Sequence, residues 1–169
     1  MSHKPYKGFE PKWVMEPAPE GSYRSIFRWG DPNFFKVPKE SLYRMMKEVF
    51  EMTDEDFREY SDDIGWDQVE LSGYPVRLDR EHIDALREIV GEEGVSTADY
   101  DRLAVAYGFT AYDVLRLRHK VIDSLPDVVL YPDTTEQVER IVAYADANDI
   151  PLYVYGGGSS VTRGVEPVK

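Results

Sequence analysis

Residues 150–160 read Ile-Pro-Leu-Tyr-Val-Tyr-Gly-Gly-Gly-Ser-Ser, and the fold turns on how this stretch is read. An apolar run, Ile150 to Tyr155, reads as a strand that enters three glycines, Gly156, Gly157 and Gly158, followed by Ser159 and Ser160. Glycine lacks a Cβ and takes positive φ readily, so successive backbone N–H groups of such a loop can converge on one point. The two serine hydroxyls can add donors there. That chemistry suits a pyrophosphate, and hence a nucleotide-type cofactor.

Neither of the two common phosphate-binding fingerprints is present. A Walker A loop requires Gly-x-x-x-x-Gly-Lys-Ser/Thr, but the only basic residues beyond Tyr155 are Arg163 and Lys169. A Rossmann loop requires Gly-x-Gly-x-x-Gly after the first strand. Counting from Gly156 puts Val161 at the third glycine position, and here the loop follows a second strand.

Upstream, Asp127-Val128-Val129-Leu130-Tyr131, ended by Pro132, reads as a short strand buried on both faces. Thr134 and Gln137 stand at capping-box spacing. Val138, Ile141, Val142 and Ala145 then form one apolar helical stripe. Asn148 reads as the left-handed stop, and Pro151 opens the next extended segment. A helical crossover of this length predicts a right-handed parallel pair of strands. The glycine loop then lies at the carboxyl end of a parallel strand, where open α/β sheets bind ligands.

Leu125-Pro-Asp-Val-Val-Leu-Tyr-Pro132, the capped helix and Ile150 to Val161 together resemble the opening of the FAD-binding domain of the vanillyl-alcohol oxidase and p-cresol methylhydroxylase (PCMH) family. Within that family the pattern is most similar to the alkyl-dihydroxyacetone-phosphate synthases. Ser159 stands where threonine is usual, which keeps the hydroxyl, and Val154 where proline is common. Residues 100–166 carry the stronger likeness. A weaker one lies in residues 23–35, where Phe27-Arg28-Trp29-Gly30 and Phe34 resemble a Trp-Gly segment of the same synthases.

The resemblance implies that Val154, Tyr155, Gly156, Gly157, Gly158, Ser159 and Ser160 hold the FAD diphosphate non-covalently. It implies an FAD-dependent enzyme that exchanges an acyl chain for a fatty alcohol in ether-lipid precursor synthesis, acting on a lipid-like small molecule. An FAD-linked 2-hydroxyacid dehydrogenase or oxidase is the alternative within the superfamily. A non-enzymatic helical interaction module is the alternative outside it. The family's catalytic tyrosine and histidine-containing loop have no counterpart here, so no catalytic residue is assigned. The expectation is therefore the N-terminal part of a larger flavoenzyme, inactive alone and binding FAD weakly or not at all, because one βαβ unit leaves open strand edges. The expected class is α+β. An extended arm (1–37) and a helical N-terminal domain (38–120) precede the first βαβ unit of a PCMH-type FAD-binding domain (121–169).

Composition narrows the alternatives. A formal net charge of −12, from 32 acidic and 20 basic residues without a basic stripe, argues against nucleic acid. Nine carboxylates and one arginine, Arg58, lie between Glu51 and Glu70. They read as a solvated helical face, with a docking surface for a basic partner as the alternative. The absence of cysteine removes disulfides and thiolate chemistry and fits a reducing compartment. No run is apolar enough to span a bilayer, so the expected location is cytoplasmic, with a peripheral membrane role and a homo-oligomer both left open. His3, His82 and His119 lack ligand spacing, and no metal site is expected. His119 lies near the FAD unit, yet the synthases do not attach flavin through histidine. Arg116 and Arg118 read as dipole or ion-pair residues.

The first 37 residues are rich in proline and aromatics, which predicts an arm anchored by Trp13, Phe27, Trp29, Phe34 and Phe35. Contact with lipid or substrate is the other reading of that arm. Pro38 opens a helix whose apolar face is Leu42, Met45, Met46, Val49 and Phe50, and Thr53 begins a short acidic helix. Asp79 caps a helix bearing Ile83, Leu86, Ile89 and Val90 and closed by Gly91. Leu71 to Leu78 reads as a loop or edge strand, and two more helices flank Gly108.

Overall fold

Helical periodicity accounts for most of the observed architecture. The structure, a computed structural model, describes residues 18–26, 40–56 and 65–167. In chain order it contains α1 (Tyr23–Ile26), α2 (Glu40–Val49), α3 (Arg80–Val90), a 3₁₀ turn (Glu92–Gly94), β1 (Val95–Ser96), α4 (Asp99–Ala104), α5 (Ala111–Arg118), β2 (Val129–Leu130) and α6 (Thr135–Ala147). The class is α+β, with little strand. The chain divides into two units, Met1–Gln68 and Val69–Lys169.

In the first unit, α1 buries Tyr23, Arg24 and Ile26. The Ser22 hydroxyl donates to the Pro19 carbonyl at 2.6 Å, and Ser22 forms an isolated antiparallel bridge with Gln68. Helix α2 turns Tyr43 inward, while Leu42, Met45, Val49 and the following Phe50 stay exposed. Met46 is half-buried, so the expected apolar face is mostly, not wholly, open to solvent among the described residues. Polar contacts hold this helix instead: the Tyr43 hydroxyl donates to Asp54, and Lys47 Nζ donates to the same carboxylate at 2.7 Å. Thr53 opens a turn by exchanging hydrogen bonds with Asp56. Pro38, the arm anchors Trp13, Phe27, Trp29, Phe34 and Phe35, and the continuation of the acidic helix lie outside the described residues.

The core of the second unit is aliphatic. Leu86, Ile89 and Val90 of α3 meet Ile141 of α6, and Leu78, Val95, Leu130 and Tyr144 pack around them. Burial of one such side chain stabilises by about 1.5–3 kcal/mol. The edge of this core carries a polar pair, His82 Nδ1 with the Tyr144 hydroxyl at 2.8 Å. Gly91, at φ 88°, closes α3 as expected. Asp79 occupies the N-cap position but its side chain makes no cap hydrogen bond.

The strand pairing departs from the sequence expectation. β2 pairs with β1, which lies upstream, antiparallel with Val95 opposite Leu130 and Ser96 opposite Val129. Tyr131 N–H extends the ladder to the Gly94 carbonyl at 2.9 Å. Residues 150–155 join no strand, so the expected parallel pair across α6 is not formed. A parallel pair gains its stability from burial on both faces, and Leu152, Tyr153 and Val154 are exposed among the described residues. Residues 71–78 form a loop.

The crossover helix itself forms where predicted. The Thr134 hydroxyl accepts from Gln137 N–H at 3.2 Å, but Gln137 Oε1 accepts from Asp133 N–H at 2.6 Å, one residue earlier than a reciprocal capping box requires. Half of the apolar stripe is buried, at Ile141 and Ala145, while Val138 and Val142 face solvent. The left-handed residue at its end is Asp149, φ 53°, and not Asn148, φ −118°. Ile150 N–H donates to the Ala145 carbonyl at 2.9 Å, the six-residue return bond of a Schellman motif. That motif directs the chain out of α6 toward the glycine loop.

Candidate functional site

The loop Val154–Ser160 begins in the open and ends against protein. Val154 is 92% exposed. Tyr155 turns inward, and its hydroxyl reaches the carbonyls of Ala104 (3.0 Å) and Tyr107 (3.2 Å), sharing one proton between them. Ala104 is the last residue of α4. Its carbonyl is therefore one of the acceptors that a helix end leaves without an internal partner. Burial pushes the Tyr155 phenol above its ordinary pKa, which keeps the proton in place for donation.

The three glycines have separate roles. A Cβ at Gly156 or Gly157 would meet open space, so these two leave room above the backbone. Gly158 is buried, adopts φ +65°, and sits on the Tyr155 hydroxyl so closely that any Cβ would overlap it. Among the described residues no backbone N–H from Gly156 to Ser160 finds a protein acceptor. The run therefore presents several donors that nothing in the chain satisfies.

Beyond the glycines the chain is fastened again. Phe109 N–H donates to the Ser160 carbonyl at 2.8 Å, and a Cβ at Gly108 would overlap that same carbonyl. Glycine is required at position 108 by this close approach and not by its φ. Ser160 Oγ accepts from Gly164 N–H at 3.2 Å, which leaves its own proton free to donate. Ser159 is exposed.

The last fastening is ionic. Arg116, 4% exposed, donates from one terminal nitrogen to Asp123 (2.5 Å) and Glu166 (2.8 Å). Asp113, 1% exposed, lies 3.6 Å from the other. The guanidinium stacks over the Tyr107 ring at 4.6 Å. Arg163 completes Glu166 with contacts at 2.7 and 2.6 Å. Burial works against the Arg116 charge, but the Glu166 hydrogen bond and its neighbours outweigh it and hold the guanidinium above its ordinary pKa. Glu166 is held below the usual carboxylate range, first by the Arg116 hydrogen bond, with burial opposing and Arg163 assisting. Burial likewise raises the Tyr107 phenol.

All seven residues singled out in the sequence thus occupy one continuous loop. The elements that seat it, Ala104, Tyr107, Gly108, Phe109, Arg116 and Glu166, carry no motif. The legible signals were Gly108 between two helical patterns and the ion-pair reading of Arg116. No group of three or more His, Asp or Glu side chains among the described residues is placed to hold a metal ion. None of the described helices is long and apolar enough to cross a membrane.

Comparison with known proteins fits this geometry. Residues 126–168 match the family model described as FAD binding domain. This part of the chain is similar to that family, and the likeness supports FAD as its cofactor. Over 85 residues the chain is 32% identical to the alkyldihydroxyacetonephosphate synthase of Trypanosoma brucei brucei, covering 50% of this chain and 14% of that protein. It is 25% identical over 87 residues to D-lactate dehydrogenase [cytochrome] 1, mitochondrial, of Saccharomyces cerevisiae, covering 52% of this chain and 14% of that protein. A solved structure of an alkyldihydroxyacetonephosphate synthase superposes with a TM-score of 0.55 at 25% identity, over 57% of this chain and 20% of that one. The chain therefore spans about one seventh of the length of these curated relatives.

Proposed function

We propose that Val154–Ser160 grips the diphosphate of FAD and that the chain brings this grip to an FAD-dependent enzyme of the alkyldihydroxyacetonephosphate synthase kind. The observation that carries the reading is the set of unmatched N–H donors from Gly156 to Ser160. It lies within the segment that matches the FAD binding domain. The donors suit a doubly charged bridge, since successive backbone N–H groups in a turn can form an anion-binding concavity. Gly156 and Gly157 leave the space that close approach of phosphate oxygens requires. Ser159 and the free proton of Ser160 add two donors.

FAD supplies the reactive ring system when bound, and these residues orient its diphosphate. On this reading the substrate is a lipid-like phosphate ester, and the FAD-binding segment begins near residue 121. A second reading, oxidation of a 2-hydroxy acid, is favoured by the likeness to D-lactate dehydrogenase. It uses the same loop.

The test is a titration of the ¹⁵N-labelled chain with FAD, followed by amide chemical shifts. The expected result is selective movement of the Gly156–Ser160 resonances with affinity weaker than micromolar. Saturating FAD that leaves those amides unmoved, or moves only amides of α3 and α6, would sink the proposal.

A further inference from the structure

We infer that Tyr155 is a positioning residue for the glycine loop, its hydroxyl serving as the peg that ties Gly158 to the carboxyl end of α4. The inference rests on the diphosphate reading of the loop and adds to it what sets the loop's shape.

A loop built for close approach to an anion is floppy by composition, because glycine loses more backbone freedom on ordering than any other residue. An ordering cost met at the moment of binding subtracts from affinity, whereas a loop already fixed keeps it. Two attachments bracket the open N–H groups here. At the near side, the Tyr155 hydroxyl meets the Ala104 and Tyr107 carbonyls and fills the space where a Gly158 Cβ would stand. At the far side, Phe109 N–H holds the Ser160 carbonyl. Gly156, Gly157 and Ser159 lie between, exposed and free of protein contacts by hydrogen bond among the described residues.

Both attachments land on the same short segment, 104–109. Segment and loop therefore move together or not at all. The peg is a phenol and not a longer polar chain for a geometric reason: its rigid ring carries the donor across to a helix end with only two rotatable bonds to fix. Phenylalanine at 155 would keep the ring and remove only the donor.

The experiment compares the wild-type chain with Tyr155→Phe by two readouts: the FAD dissociation constant from the Gly156–Ser160 amide shifts, and hydrogen exchange of the Phe109 amide without ligand. The expected result is a roughly tenfold weaker FAD affinity and a roughly tenfold faster Phe109 exchange, the scale of one lost net hydrogen bond. The Ile141 amide in the aliphatic core is expected to exchange as before. A merely structural role would instead speed exchange at Phe109 and Ile141 alike.

Unchanged affinity together with unchanged Phe109 exchange would overturn the inference while leaving the diphosphate reading intact. FAD that binds the wild-type chain without any response in the loop would overturn both. If Tyr155→Phe does not fold, Gly108→Ala addresses the same point from the other side, since its Cβ displaces the Ser160 carbonyl. It is expected to weaken FAD and expose Phe109 in the same proportion, and no effect on either would overturn the inference.

Discussion

The α3–α6 core and the segment from Tyr155 to Glu166 belong to one unit and are held by different forces. Aliphatic side chains from two helices close the first, with Leu86 at 3% and Ile141 at 7% exposure. The second contributes little aliphatic burial and is fastened by directed contacts: a phenol on two carbonyls, one amide on Ser160, and a buried arginine between three carboxylates. Hydrophobic burial is non-directional and tolerates small displacement. A charge-assisted hydrogen bond fixes distance and angle. A scaffold can use the first kind of force; a loop that must aim several N–H groups needs the second.

The contrast breaks hardest at Arg116. Replacing it by alanine leaves Asp113 buried without its cation, and truncating one partner of a buried pair costs about 3–5 kcal/mol. Urea unfolding followed by circular dichroism is the measurement. A loss below about 1 kcal/mol would mean that the ionic cluster contributes no more than a surface pair.

Next is Leu86→Ala, expected to cost about 3 kcal/mol by the same assay, from lost transfer energy and the cavity left behind. The two variants should differ in salt response. Molar sodium chloride should lower the cost of Arg116→Ala only slightly, through the exposed Asp123 contact, because buried pairs are screened far less than exposed ones, and it should leave that of Leu86→Ala unaltered.

The smallest effect is a pH dependence. Glu166 is held below its ordinary pKa in the folded chain. The folded state therefore binds that proton less readily than the unfolded state. Its contribution is fully present above the unfolded value near 4.5 and is lost as pH falls through the depressed folded value. Unfolding midpoints between pH 7 and pH 3 should fall more steeply for the wild type than for Glu166→Gln. Parallel curves would assign the acid sensitivity to other carboxylates.

How far the sequence could be read follows the same division. The helices α3 and α6 were legible because 3.6-residue periodicity marks a helix, but it marked burial only in part: Ile141 and Ala145 are buried while Val138 and Val142 are not. The glycine loop stands out only together with the flanking Pro-Asp strand pattern and the capped helix, because three glycines alone also make a plain turn. The antiparallel partner of β2 was not: β1 is two residues long, set between a 3₁₀ turn and α4, too short for any alternation to register. The end of α6 was misjudged by one residue because Asn and Asp both tolerate the left-handed region, and Asn148 and Asp149 adjoin. Arg116 was legible as an ion-pair residue, but its partner Glu166 was not. Arg116 and Glu166 are fifty positions apart, and single-residue chemistry gives no sign that they meet.

The outward half of the α6 stripe has a practical bearing at the bench. Val138 and Val142 remain wet, as do Leu152 and Val154. Sulfate and similar excluded solutes raise the penalty for wetting aliphatic groups, whereas the strongly negative charge of the chain opposes self-association. Ammonium sulfate steps should therefore precipitate this protein early, and storage in dilute, low-sulfate buffer well above its acidic isoelectric point should keep it clear.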